Sequence, residues 1–187
     1  DASQIQIVQA GAISAAALKA AAAPVDLPAG ATIGTGTTAQ PDLERYEGML
    51  VRFGQALTIT EQFNLDRFNE IRLAAGGRPE TFTNAFEPDG AAYAAYLAQV
   101  AARSITYDDG LNSQNQPITN LDGLGPVYNT ATAPRMGDTV TGLIGTLGFG
   151  PSGAYRVRSI DDEAGCGGGA EHRMGAVGHV RVGMREG

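Results

Sequence analysis

Four arginines, Arg52, Arg72, Arg156 and Arg158, stand at alternating positions among apolar residues. In LVRF, IRLA and YRVRS a side-chain period of two sends Val51, Phe53, Ile71, Leu73, Tyr155 and Val157 to one face and the arginines to the other. Guanidinium groups arrayed on an outer sheet face suit phosphate oxygens, which they grip bidentately. Tyr46, Phe63, Phe68 and Tyr155 lie near these arginines in sequence, and aromatic rings among cations are how small barrels stack the bases of single strands. The candidate nucleic-acid contacts are therefore Arg52, Arg72, Arg156 and Arg158, projecting from neighbouring strands, with Tyr155 and Phe68 nearby. The competing expectation is that these arginines pair with the chain's abundant acids.

Other residue sets are chemically weaker. Asp108 and Asp109, with Asp122 downstream, are oxygen ligands of the kind Ca2+ or Mg2+ takes. They lack a D-x-D-x-D-G spacing, and Asp-Asp-Gly at 108–110 also reads as a turn. Cys166, His172 and His179 offer three zinc donors where structural sites use four at tighter spacing. Glu61, Asp66 and Glu70 are a candidate carboxylate set for hydrolysis, but they flank a connection between strands, where charges face solvent. The glycine runs at 145–150 and 34–36 have neither a strand-to-helix switch nor a P-loop lysine, so barrel bends and a linker account for them. No catalytic residue and no metal ligand is assigned.

The elements that must position the arginines are mostly strands. Residues 46–77 hold two alternating runs, 48–60 and 69–75, joined by a polar connection, and Gly76-Gly77 marks a turn. Residues 41–46 read as a single helical turn capped by Asp42. Residues 78–88 read as irregular, with Phe82 and Phe86 tucked against a barrel. Asp89 caps a helix over 89–103, whose Tyr93, Tyr96, Leu97, Val100 and Ala101 fall at three- and four-residue spacing. Strands are expected at 104–107 and 154–160, and a strongly bent, glycine-bearing strand at 137–149. Residues 111–135 form a long Asn-, Pro- and Gly-rich loop.

Before these elements, residues 1–9 alternate Ile5 and Ile7 with Gln4 and Gln6 like a closing strand, residues 10–23 favour a short helix, and residues 25–27 an extended piece. Residues 28–41 have linker composition. The expected division is a strand remnant of a preceding domain at 1–34, a linker at 35–41, a domain at 42–160, and a Gly- and Arg-rich disordered tail at 161–187. The fold class is mainly β: an OB-like Greek-key barrel with one helix.

Composition bounds the function further. The net charge of −7 over 187 residues disfavours wrapping a phosphate backbone by bulk electrostatics, so any nucleic-acid contact must come from a local arginine patch. Lys19 is the single lysine. The lone Cys166 allows no intrachain disulfide, and no run of about eighteen apolar residues marks a membrane span.

LERYEGMLVRF at 43–53, LTITEQFNLDRFNEIRLAAGGR at 57–78, ITYDDG at 105–110, GDTVTGLIGTL at 137–147 and AYRVR at 154–158 occur in this order. Together they resemble the non-catalytic region of ExeM/NucH-type bacterial extracellular endonucleases, and residues 1–9 are similar to the closing strand of the OB-like domain, related to that of the YhcR nuclease, that precedes it. The resemblance implies a secreted parent, a fragment's worth of accessory barrel, adjacent domains as partners, weak contact with DNA, and no membrane. It also implies a following endonuclease/exonuclease/phosphatase domain that would hold the Mg2+ or Ca2+, so no cofactor is expected in this chain. The sequence departs from the family after Arg158, where EAGCGGGAEHRMGAVGHVRVGMREG stands in place of a proline-rich linker and reads as a shifted frame or truncated end. The expected function is a non-catalytic accessory module of a secreted nuclease, positioning DNA. The alternatives are a purely structural spacer and a stand-alone metal-dependent hydrolase.

Overall fold

A computed structural model describes residues 14–108, 114–115, 135–150 and 153–159. The chain is mainly β, an eight-stranded mixed sheet curled into a half-barrel, with a separate two-stranded ribbon and few helices. The strands are β1 Ala23–Val25, β2 Thr32–Ile33, β3 Gln40–Pro41, β4 Leu50–Phe53, β5 Leu57–Glu61, β6 Ile71–Ala75, β7 Ser104–Asp108, β8 Thr139–Val140, β9 Ile144–Phe149 and β10 Tyr155–Ser159. The helices are α1 Ala15–Ala20, α2 Leu65–Phe68, α3 Phe82–Ala85 and α4 Gly90–Ala102. The large sheet runs β1-β4-β9-β10-β7-β6-β5-β8, and β2 pairs with β3. Two pairs in it are parallel, β1 with β4 and β10 with β7.

The sheet curls because two of its ribbons bend. β4 runs into β5 through Gly54, Gln55 and Ala56, and the inward parity survives the bend, so Val51, Phe53, Leu57 and Ile59 all enter the core. β8 runs into β9 through Thr141, Gly142 and Leu143. Here the parity changes, from Val140 inward to Leu143 and Leu147 inward, and Gly142 takes a φ of 69° at the shift. The two ribbons lie antiparallel along their whole length: Thr58 faces Thr139, Leu57 faces Val140, the Phe53 N–H donates to the Leu143 carbonyl, and Arg52 faces Ile144. The core they enclose adds Ile71, Leu73, Ile105, Tyr107, Tyr155 and Val157, the inward residues of β6, β7 and β10.

Residues 23–43 join this core, although composition marks them as remnant and linker. Val25, Leu27 and Leu43 are buried with Val51 and Phe53, and β1 is hydrogen-bonded along β4 in register Val25 to Phe53. Ala23-Pro24-Val25 is too short to show a period, which is why only pairing reveals it as a strand. Residues 1–13, most of 109–134, and 160–187 lie outside the described residues, and with them the expected closing strand, most of the long loop and the expected tail.

α4 starts where Asp89 accepts a hydrogen bond from the Ala92 N–H at 2.7 Å. It packs on the β2–β3 ribbon with Ala101 buried. Phe82 and Phe86 do not both tuck against the barrel. Phe82 is buried among Phe86, Tyr93 and Tyr96, at ring separations of 5.2, 5.2 and 5.5 Å, while Phe86 stays 53% exposed. The aromatic cluster belongs to α3 and α4, because the single turn α3 and the first turns of α4 bring these side chains together before they reach the barrel core.

β9 passes so close to β10 at Gly145 that an added Cβ would collide with the Arg158 carbonyl and the Val157 side chain. Gly145→Ala is therefore expected to lower the urea-unfolding free energy by about 1–3 kcal/mol. Gly148→Ala, in the same strand but with open space around its Cβ, is expected to stay within about 0.5 kcal/mol. Equal losses at the two positions would show that the spacing of β9 and β10 is not fixed at Gly145.

Candidate functional site

Strand register sets the outer face of β6, β7, β10 and β9. Arg72 lies opposite Thr106, Thr106 opposite Arg156, and Arg156 opposite Gly148, which makes one row across four strands. The next row carries Asp108, Arg158 and Thr146. With neighbouring strands about 4.8 Å apart, Arg72 and Arg156 are about 10 Å apart along this row. The face thus brings Arg72, Arg156 and Arg158 together, and Arg52 stands further round the curl, opposite Ile144 of β9.

Outward direction does not make Arg156 accessible. It is only 4% exposed, and its guanidinium lies across Gly150, where a Cβ would overlap it. One of its terminal nitrogens, Nη1, donates to Glu70 Oε1 at 2.6 Å and to Asp108 Oδ2 at 2.7 Å. Arg158, with 42% of its side chain exposed, reaches the same Asp108 oxygen from Nε at 3.5 Å. Burial pulls the Arg156 pKa down, but the hydrogen bonds and charges of Asp108 and Glu70 outweigh it and hold the guanidinium above its ordinary value. Glu70 also accepts from Asn64 Nδ2 at 3.0 Å, so the cluster ties β7 and β10 to the connection at 62–70.

Tyr155 is likewise turned away from solvent. Its ring is in the core, its hydroxyl donates to Glu44 Oε2 at 2.6 Å, and its N–H donates to Gln40 Oε1 at 2.7 Å. Burial, then the Glu44 hydrogen bond, pushes its pKa above the usual tyrosine range. A ring held this way is not a platform for a base. Arg156 stands on the outer face, as strand parity predicts, but is covered by carboxylates, and Tyr155 shares the inward face of Val157, as the same parity predicts, so neither side chain is presented to a ligand.

The remaining candidates differ. Arg52 is exposed. Phe68 is half-buried, with the Arg67 guanidinium 5.0 Å above its ring. Arg67 also donates to Gln114 Oε1 from Nε and Nη2 at 3.0 and 2.9 Å, and its carbonyl accepts from the Asn115 N–H. Tyr46 has Arg45 4.6 Å over its ring. Phe63, in the same connection as Phe68, is 86% exposed. Arg72 is half-buried on the outer face of β6, and burial lowers its pKa against the opposing charge of Glu61.

The carboxylate sets are not assembled for metal or hydrolysis. Asp108 is taken up by two arginines, Glu70 by one, and Glu61 and Asp66 are exposed. Among the described residues no three His, Cys, Asp or Glu side chains are grouped as metal ligands. Asp109, Asp122, Cys166, His172 and His179 lie outside the described residues. The glycines at 145–150 sit in and after β9, and those at 34–36 lead into a single 3-10 turn, Gly36–Thr38. Among the described residues no helix is long and apolar enough to cross a membrane.

Sequence reading gives each arginine its face and raises pairing with acids as the alternative, which Arg156 and Arg158 follow, but it does not name Glu70 and Asp108 as the partners. The signal for that pairing was present: residues 70, 72, 106, 108, 156 and 158 share outward parity. Only register shows that β7 and β10 are parallel neighbours. Comparison with family models, curated proteins and solved structures found no match.

Asp108→Ala leaves a buried guanidinium short of a counter-charge, and is expected to cost about 3–5 kcal/mol of unfolding free energy. Adding Arg156→Met should recover a large part of that loss, since an apolar replacement of a buried pair is often close to neutral. Strictly additive losses in the double-mutant cycle would show that the two side chains are not coupled.

Proposed function

We propose that this chain is a non-catalytic accessory module of a secreted nuclease, an OB-like Greek-key barrel that positions DNA and leaves hydrolysis to another domain. The pairing circuit supports the barrel reading. Counting the ribbons 50–61 and 139–149 as single bent strands, the order is first, second, third, fifth, fourth and back to the first, with the third and fifth parallel. That is the strand arrangement of a five-stranded OB barrel, whose second and third strands and first connection face nucleic acid. Here those are β6, β7 and the connection at 62–70.

The observation that carries the functional reading is the fate of the acids. Glu70 and Asp108 are neutralised by Arg156 and Arg158, while Arg52 and Arg72 keep guanidinium groups on the outer surface and Phe63 presents a bare ring. A face so arranged can contact phosphates and bases but has no paired carboxylates poised to hydrolyse. A second reading, the structural spacer, is favoured by α4: residues 90–102 carry no charge, yet Ala91, Ala92, Tyr93, Ala94 and Ala95 are exposed, as in a helix that packs against a neighbouring domain.

Two assays separate these readings. The purified chain, given Mg2+ or Ca2+, is expected to leave both single- and double-stranded DNA intact; sustained cleavage would replace the accessory reading with a hydrolase. A titration with labelled single-stranded DNA at low salt is expected to show weak binding that fades at moderate salt. No binding at low salt would leave the spacer as the function.

A further inference from the structure

We infer that the outer face of β6 and β7 carries an oxyanion site, the Arg72 guanidinium with the Thr106 hydroxyl beside it, which takes a backbone phosphate of a single-stranded nucleic acid, while Arg156 keeps the neighbouring carboxylates neutral and does not touch the strand. This rests on the DNA-positioning reading above.

Arg72 and Thr106 are directly opposed across the β6–β7 pair and both point outward, so their Cβ atoms are close neighbours, about 5 Å apart. Both are half-buried. No hydrogen bond or ion pair to the Arg72 guanidinium is seen among the described residues. Burial is costly for a cation, and at Arg72 it outweighs the opposing charge of Glu61 and lowers the pKa, the opposite direction from Arg156 one strand pair away. A phosphate oxygen supplies a hydrogen-bond acceptor that the guanidinium and the hydroxyl can share.

The carboxylates around the site decide whether an anion can approach. Glu70 and Asp108 lie on the same face, and left bare they would repel a phosphate. Arg156 binds both, at 2.6 and 2.7 Å, and Arg158 adds a second cation to Asp108. Glu61, opposite Arg72 in the β5–β6 pair, is exposed and acts on Arg72 through its charge alone, so it competes with the incoming anion. The connection that follows Glu61 presents Phe63, a ring for an unpaired base, which favours a single strand over a free anion.

The test is fluorescence anisotropy of a labelled oligo-dT on the full chain, over a salt series, with Arg72→Gln and Glu61→Gln. Arg72→Gln is expected to weaken binding roughly tenfold and to lower the slope of log K against log salt by about one counterion. Glu61→Gln, a change at an exposed position, is expected to tighten binding several-fold without altering the melting temperature. If the unaltered chain binds oligo-dT and neither change moves affinity or slope, the site is wrong and the accessory reading stands. If the unaltered chain does not bind, the DNA-positioning reading falls, and the site with it.

Discussion

The structure depends on two long ribbons bending in step. Residues 50–61 and 139–149 are paired on both sides of their bends, and the rest of the large sheet is built out from them. A bent strand normally loses pairing or buries a clash at the corner. Here the first ribbon bends at Gly54–Ala56 without changing parity, and the second absorbs a parity change at Gly142. Gly145 then lets β9 pass against the β10 backbone. Together these set the curl, and the curl places β6, β7 and β10 side by side with their outward residues crowded onto one surface.

Crowding explains the buried ion cluster. Two carboxylates and two arginines, from β7, β10 and the connection at 62–70, meet where the face is covered, and none could be left there alone. The shared Asp108 oxygen makes the arrangement a network, so it fixes register: sliding β10 by one residue would put Val157 outside and Arg156 into the apolar core. The cluster is therefore a specificity device on the outside of the barrel as much as a source of stability.

The inward half of this architecture was legible in the sequence. Val51, Phe53, Leu57, Ile59, Ile71 and Leu73 announce themselves by alternation, and the glycines of 137–149 mark the bent strand. What was not legible is pairing. Alternation gives each arginine a face, but not a neighbour, so Arg156 and Arg72 look alike until register puts Glu70 and Asp108 beside one and only Glu61 beside the other. Val25 and Leu27 were hidden for a related reason: a three-residue strand has no period, and the Gly-, Thr- and Pro-rich composition around it describes exposed turns well and buried anchors poorly. Phe86 shows the reverse failure, since an apolar residue in an irregular stretch need not reach the main core when a closer aromatic partner is available.

The negative charge of the chain bears on the functional reading more subtly than its sign suggests. Net charge governs long-range attraction, and at −7 it works against encounter with nucleic acid. Contact at short range is governed by which charges remain uncompensated on the face that meets the ligand. On this face Glu70 and Asp108 are cancelled by Arg156 and Arg158 while Glu61 stays exposed beside Arg72, so under the proposed function the contact would be weak, local and salt-sensitive. The proposed accessory role would need no more than that, because a tether to a catalytic domain would supply the effective concentration that bulk electrostatics withhold.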